Sequence, residues 1–288
     1  KKFYSDEIKR IKEIHGDFYL LTTKFGKVNY IKRKNVISWY DTQVNKGILR
    51  TEETKEVCKR SIKHEEENIK NFFEFIKLFS ESFPSKKLMI LVHPAEEISV
   101  YANLIKNMDN IKLASGFSTN SWILSSDLII QNNCTTSVEA YIMGVKPIQL
   151  NYFKDPEVEF KLPKIVSEIF DNNTELIEYL EKFKKESFQN TELYKKNFTL
   201  IKDYIENVEN ENSVELILKK LSEEANLQND FNSMSPSLEK IIYKLKMVKR
   251  NLVNYLSDKG QLNLAKRKFP YLTFNEVNIF MRKIVEVE

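Results

Sequence analysis

Glycine, proline, cysteine and histidine are all scarce in this 288-residue chain, which has 6 Gly, 7 Pro, 2 Cys and 3 His. It has no G-x-G-x-x-G, G-x-x-x-x-G-K-[ST] or G-x-S-x-G motif, which argues against a dinucleotide-binding loop, a P-loop NTPase and a hydrolase nucleophile elbow. Cys58 and Cys134 match no metal or redox spacing, so reduced thiols in a cytoplasmic setting are expected. With so few histidines, no metal or other cofactor is expected.

Long apolar runs and a dominant charge are also absent. The longest runs, "LMILV" and "DLII", have strand length, far below the roughly 20 residues that span a bilayer. The 45 basic and 41 acidic residues leave a net charge of only +4, so nucleic acid is not an expected partner. The N-terminus lacks an initiator Met and a signal-peptide pattern, which predicts that the chain starts inside a longer protein.

Strand-length apolar segments alternate with helical patterns over the first 150 residues. A strand is predicted in Asp17–Phe25 and a long helix in Thr51–Ser82, with a break near His64. Later strands are predicted in "KLMILVHP", "NIKLAS", "DLIIQ" and "KPIQL", with helical segments between them. Continuous apolar strands between helices are typical of a parallel sheet that is covered on both faces. The sequence therefore predicts an α/β fold with a doubly wound parallel sheet.

After Asn151 the alternation loosens, and further helices are predicted before a polar break, "NLQNDFNSMSPS". We place a domain boundary there, with a Rossmann-like domain in residues 1–226 and a helical basic C-terminal tail in residues 227–288. The tail's apolar face is expected to pack on the domain. The alternative is peripheral contact with acidic lipid of the inner membrane through four basic residues, Lys244, Lys246, Lys249 and Arg250.

Three predicted strands end in polar loops, in residues 22–29 ("TTKFGKVN"), 92–97 ("VHPAEE") and 132–139 ("NNCTTSVE"). Open parallel sheets bind ligands at the carboxyl ends of their strands, where loops lead into helix N-termini. The first loop supplies Thr23 and Asn29 as candidate ligand contacts.

The third loop has the pattern of an anion site. Thr135, Thr136 and Ser137 follow Cys134 where a strand ends and a helix begins, so hydroxyls and unpaired N–H groups lie together at a positive helix end. Glu139, one turn later, is placed to accept hydrogen bonds from ribose hydroxyls. Thr136 and Glu139 also fit a capping box, so for Glu139 both interpretations stay open. For the two threonines ligand contact is favoured, because a cap needs only one hydroxyl.

The second loop contains a His-Pro pair. Pro94 suits the first turn of a helix and would place His93 at the strand tip, facing the crevice. Taken alone, the position of His93 favours a structural histidine that is hydrogen-bonded at the end of a strand. Together with the threonine pair, it can contact the same phosphate from the other side. Glu96 and Glu97 are expected to complement the helix dipole, with Glu96 as a further candidate for a sugar or base hydroxyl.

Four segments together resemble the bacterial surface carbohydrate (surface polysaccharide) biosynthesis proteins: "GDFYLLTTKFGKVN", "VHPAEE", "SWILSSDLIIQNNCTTSVEAYIMGVKPI" and "KFPYLTFNEV". The resemblance extends from about Gly16 onward. It implies the C-terminal, donor-binding half of a glycosyltransferase with the two-domain GT-B architecture. It also implies that the N-terminal half, which binds the acceptor and usually holds the catalytic base, is missing from this chain.

The His-Pro and Thr-Thr pairs are similar to those of CMP-sugar users, the bacterial sialyltransferases and Kdo transferases. This resemblance implies that His93, Pro94, Thr135 and Thr136 hold the phosphate of a nucleotide-sugar donor, with CMP-Kdo favoured, and that His93 acts on the leaving group without a metal. The sugar would pass to a surface polysaccharide or lipopolysaccharide, as a glycan or lipid-linked glycan acceptor. Turnover is expected only when the missing half is present.

Two other functions stay open. UDP-sugar transferases and UDP-GlcNAc 2-epimerases share the helix and turn around Glu139, Ala140, Gly144 and Pro147, so these residues do not separate the donors. An epimerase would also need acid and base carboxylates near the sugar, and the sequence offers no convincing set. The third function is that of a non-catalytic Rossmann-like module that scaffolds glycan assembly.

Overall fold

A computed structural model of the chain describes residues 4–29, 40, 43–44, 48, 51–185 and 187–205. Within these residues, one sheet of six strands contains β1 Tyr19–Thr22, β2 Leu88–Leu91, β3 Ile111–Leu113, β4 Leu128–Gln131, β5 Lys146–Leu150 and β6 Glu168–Phe170. The strand order is β3-β2-β1-β4-β5-β6, and every neighbouring pair is parallel. The predicted doubly wound α/β fold is confirmed.

The helices that connect and cover the strands are α1 Ser5–His15, α2 Glu52–Ser82, α3 Ile98–Leu104, α4 Thr119–Ser125, α5 Thr136–Met143, α6 Lys161–Val166, α7 Asn173–Lys182 and α8 Glu192–Lys202. The predicted break of α2 near His64 is wrong. His64, Asn68, Phe72 and Phe79 are all buried along one face of α2, so a single stripe of contacts holds the helix continuous.

Successive residues of each strand pack on opposite faces of the sheet, which gives two cores. One core contains Leu21, Ile90, Ile130 and Ile148 beneath the α2 side chains Phe72 and Phe79. The other contains Leu20, Met89 and Ile129 beneath Ile11 and Trp122. Because burying a large apolar side chain stabilises the fold by about 1.5–3 kcal/mol, these two layers hold the strand ends in place.

Two elements after Asn151 were not predicted, α6 and β6. Strand β6 is only three residues long and lies at the sheet edge, with its middle residue Ile169 exposed, so it has no apolar run to detect. Of a second compact unit, Phe198–Lys268, only residues 198–205 are described. The predicted boundary at 226, the helix at 213–225 and the C-terminal tail lie outside the described residues. Among those that are described, no helix combines the length and apolar character that a membrane span requires.

The strand order reverses between β1 and β4. The chain moves outward from β1 through β2 to β3, then returns to the other side of β1 and continues from β4 to β6. Loops that leave two such strands run in opposite directions, which opens a crevice outside their carboxyl ends. All three predicted loops follow β1, β2 and β4, the strands at or beside this crevice.

Candidate functional site

Two adjacent threonines at the carboxyl end of β1 join the two predicted motifs. Thr23 Oγ1 accepts a hydrogen bond from the backbone N–H of His93 at 2.9 Å. Thr22 Oγ1 lies 3.0 Å from the Oγ1 of Thr136, the first residue of α5. Because β2, β1 and β4 are consecutive in the sheet, the His93 loop and the start of α5 flank the tip of β1.

The first turn of α5 has open hydrogen-bond donors. Cys134 N–H donates to Gln131 Oε1 at 2.5 Å, but in the described part of the chain the N–H groups of Thr135 and Thr136 have no protein acceptor. Thr135 is the N-cap residue, its side chain makes no capping hydrogen bond, and it is exposed. Unpaired N–H groups at the positive end of a helix favour an anion.

Glu139 does not form the capping box that the sequence allowed. Its carboxylate is half-buried and, within the described residues, makes no hydrogen bond or ion pair. Burial raises the pKa of this carboxyl group above its ordinary value. One turn into the helix that opens the site, Glu139 is therefore left with free acceptor capacity.

Lys24, which the sequence analysis did not select, brings a cation to the same edge. Its Nζ donates to the backbone carbonyl of Asn133 at 2.9 Å and lies 4.0 Å from the centre of the Phe160 ring. Burial, reinforced by the nearby charge of Lys27, lowers the pKa of Lys24. The sequence did contain a feature that could have identified Lys24, since this lysine directly follows two threonines at the end of a predicted strand.

Asn133 connects the β4–α5 loop to the loop that follows β5. Its φ of 43° is in the left-handed region, which Asn tolerates better than most residues. Its side chain accepts from Phe160 N–H at 2.5 Å and donates to Phe160 O at 2.9 Å. This pair of bonds holds Phe160, an exposed aromatic residue, at the rim of the crevice.

His93 lies in a tight turn that follows β2. The N–H of Glu96 donates to the His93 carbonyl at 2.9 Å, which places Pro94 at the second position of a β-turn. Pro94 thus precedes α3 instead of lying in its first turn, which corrects the prediction. His93 is half-buried, and its Nδ1 accepts from the N–H of Ala95 at 3.2 Å. In the neutral ring the hydrogen is therefore on Nε2.

Glu96 is buried beneath the loops that follow β1 and β2 and hydrogen-bonds to residues on both sides. It is 0% exposed, and Oε1 accepts from the Thr23 hydroxyl at 2.8 Å and from Phe25 N–H at 2.9 Å, while Oε2 accepts from the Tyr101 hydroxyl at 2.5 Å. Burial raises the pKa of Glu96. The prediction that Glu96 contacts a ligand is corrected, because its carboxylate and the buried Thr23 instead fix the β1 and His93 loops together.

Three other residues that were predicted to contact the ligand are buried within the loops instead. Asn29 exchanges hydrogen bonds with the backbone of Glu97, accepting at 2.9 Å through its carbonyl and donating at 3.2 Å through Nδ2. The Ser137 hydroxyl donates to Cys134 O at 2.7 Å. Asn29, Cys134 and Ser137 are all buried. The groups that face the crevice are thus fewer than predicted.

A cavity of about 880 Å³ lies at the opposite edge of the sheet, near the start of β4 and β5. Its lining includes Lys182, the last residue of α7, with Lys184 and Lys185 just after it, and Lys185 is ion-paired with Asp127. The cavity includes none of the predicted residues. The predicted residues instead lie at the carboxyl ends of β1, β2 and β4, so this edge of the sheet is the candidate site.

No protein-family model matches this chain, and no curated protein matches it. Among solved structures, the chain is similar to the Methanocaldococcus jannaschii UDP-GlcNAc 2-epimerase, which was crystallised in complex with UDP-GlcNAc and UDP. The TM-score is 0.36 and the sequence identity is 16%, and the match covers 70% of this chain and 50% of that chain. The matched region thus spans about half the length of the epimerase.

Proposed function

We propose that this chain binds a nucleotide-sugar donor and is the donor-binding half of a GT-B-type glycosyltransferase, with a CMP-sugar such as CMP-Kdo as the donor. The observation that carries this proposal is the junction at Thr22 and Thr23, where the His93 loop and the open first turn of α5 meet. The N–H groups of Thr135 and Thr136 beside this junction, unpaired within the described residues, support a phosphate at the strand-order reversal, where open α/β sheets bind their ligands.

Transfer of the sugar breaks its bond to the phosphate and leaves negative charge on the phosphate oxygens. The N–H groups of Thr135 and Thr136, their hydroxyls and the Nε2–H of His93 would stabilise that charge. Glu96 and Thr23 already fix the loops, so these donors would need little reorganisation during the reaction. Such preorganised donors are the main source of electrostatic catalysis. The proposed chemistry uses no metal.

With the phosphate on the first turn of α5, the proposal also assigns positions to the ribose of the donor and to the acceptor. The unpaired Glu139 would accept from the vicinal hydroxyls of the ribose. The sugar would pass to a surface polysaccharide or lipopolysaccharide acceptor, and the base that deprotonates the acceptor would come from an N-terminal half across the cleft.

Calorimetry on the full chain with CMP, a CMP-sugar and UDP tests the proposal. We expect the CMP compounds to bind, and we expect His93→Ala to weaken that binding about 10-fold or more, the effect of losing a charge-assisted hydrogen bond. The matched control is His15→Ala, at the end of α1 next to the amino edge of the sheet. Tighter binding of UDP than of CMP would reject the CMP donor. A folded chain that binds no nucleotide would reject nucleotide binding and favour a scaffold role.

A further inference from the structure

The side-chain amide of Gln149, in β5, is buried against one face of the sheet. Gln149 is 0% exposed, and within the described residues neither its Oε1 nor its Nε2 has a hydrogen-bond partner. Removing an amide from water without a partner is costly, so buried side-chain amides are nearly always hydrogen-bonded to protein or to ordered water. Gln149 therefore needs a partner that the described protein groups do not supply.

This amide lies beside a hydrogen bond that crosses β5. Ile148 and Leu150 pack in the α2 core, so Gln149 between them points to the other face of the sheet, where α5 and α6 lie. Gln131, at the end of β4, is the in-register partner of Gln149 and shares this face. Its Nε2 donates at 3.2 Å to the Oγ of Ser167, just before β6. Because β5 lies between β4 and β6, this bond passes over β5 close to the Gln149 amide.

The same three side chains have hydrogen-bonding capacity to spare. The hydroxyl hydrogen of Ser167 and one Nε2 hydrogen of Gln131 have no acceptor within the described residues. A water molecule both donates and accepts, and a buried one typically makes about three hydrogen bonds to polar groups that would otherwise be unpaired. Ser167, Gln131 and Gln149 together offer donors and an acceptor of this kind, and all three are buried.

We infer that ordered water binds among Gln149, Gln131 and Ser167, and that this water makes Gln149 a positioning residue for the first turn of α5. The connection is Gln131, whose Oε1 accepts from Cys134 N–H at 2.5 Å, directly before the N-cap residue Thr135. Water on Nε2 of Gln131 fixes which way its amide faces, and so keeps Oε1 on Cys134. The inference goes beyond the proposed function and does not rest on it.

A crystal structure of the full chain, at a resolution that shows ordered water, tests the site directly. We expect a water oxygen within about 3.2 Å of the Gln149 amide and of Gln131 or Ser167. A Gln149 amide that is hydrogen-bonded only to protein groups, or that has no partner at all, overturns the inference.

Thermal unfolding of Gln149→Met, a substitution of similar size, separates a water-bonded amide from an unpaired one by the sign of the change. Loss of the water contacts should lower the unfolding temperature by about 3 °C or more, whereas removal of an unpaired amide would raise it and overturn the inference. The matched control is Gln189→Met at an exposed position, which should shift it by less than about 1 °C. The losses from Gln149→Met and Ser167→Ala should not add, because both variants break contacts of the same water, and strict additivity would contradict a shared water.

Amide hydrogen exchange tests the positioning role without any nucleotide, so its outcome is separate from that of the proposed function. We expect Gln149→Met to speed exchange of Cys134 N–H about 3-fold or more, because Gln131 Oε1 is then held less firmly. Exchange of Glu96 N–H, which donates to His93 O in the loop after β2, should stay the same. An equal change at both amides, or a change at neither, would show that Gln149 does not position the first turn of α5.

Discussion

Single residues within the first turn of α5 have separate roles. Thr135 is exposed and its hydroxyl has no partner in the described part of the chain, whereas Ser137 is buried and donates to Cys134 O at 2.7 Å. We expect Thr135→Ala to weaken CMP binding about 10-fold with no change in thermal stability. Ser137→Ala should instead lower the free energy of unfolding by about 1 kcal/mol, the usual value of a buried hydrogen bond. Calorimetry and thermal unfolding of both variants check this, and a destabilised Thr135→Ala would contradict it.

The buried His64 predicts a dependence of stability on pH. Burial lowers the pKa of His64 below its ordinary value of 6.5, against the opposing pull of Glu159, whose Oε1 lies 3.3 Å from Nε2. The unfolded chain therefore binds more protons than the folded chain just below pH 6.5, so stability falls as the pH drops through this window. Thermal unfolding between about pH 8 and pH 5 should show a shallower acid decline for His64→Gln than for wild type. If the stability of wild type and of His64→Gln declined in parallel with falling pH, His64 would not be the cause of the acid decline.

At the scale of elements, the side-chain amide of Asn68 joins α2 to the start of the loop after β5, beside the contacts of Arg60 with Asp155 and of His64 with Glu159. Asn68 is 0% exposed, its Nδ2 donates to Phe153 O at 3.0 Å, and its Oδ1 accepts from Tyr152 N–H at 3.0 Å. Asn68→Ala would remove the protein partners of these partly buried backbone groups, at up to about 1–3 kcal/mol for each group. We expect a clear loss of stability by chemical denaturation. Glu67→Ala, at a less buried position of α2, should change stability by less than about 0.5 kcal/mol.

The elements themselves were largely predictable, since apolar runs such as "LMIL" and "LIIQ" specify buried strands by composition alone. What the sequence could not provide is which strands are neighbours. β1 and β4 are separated by more than 100 residues, so the contacts of Thr22 with Thr136 and of Lys24 with Asn133 depend on the strand order. For this reason the motifs were found but Lys24 was missed. Glu96 was misassigned because two of its hydrogen bonds come from Thr23 and Phe25, which lie far from it in the sequence and reach it only in the folded chain.

For the whole molecule, the two edges of the sheet differ in electrostatic character. At the carboxyl edge the first turn of α5 has unpaired N–H groups, and Lys24 forms no ion pair within the described residues, while at the amino edge two lysines are ion-paired, Lys185 with Asp127 and Lys146 with Glu168. An anion should therefore bind at the carboxyl edge although the chain is nearly neutral, with a net charge of +4.

Binding at one edge should stabilise the whole folded unit, because a ligand that binds only the folded state adds to its free energy of unfolding. A CMP concentration of 100 times the dissociation constant would add about 2.7 kcal/mol, which corresponds to a rise of several degrees in the unfolding temperature. We expect this rise in wild-type protein and a smaller one in Thr135→Ala at the same CMP concentration. Inorganic phosphate at equal ionic strength is the control. A rise as large with phosphate as with CMP would show that the crevice recognises an anion and not a nucleotide.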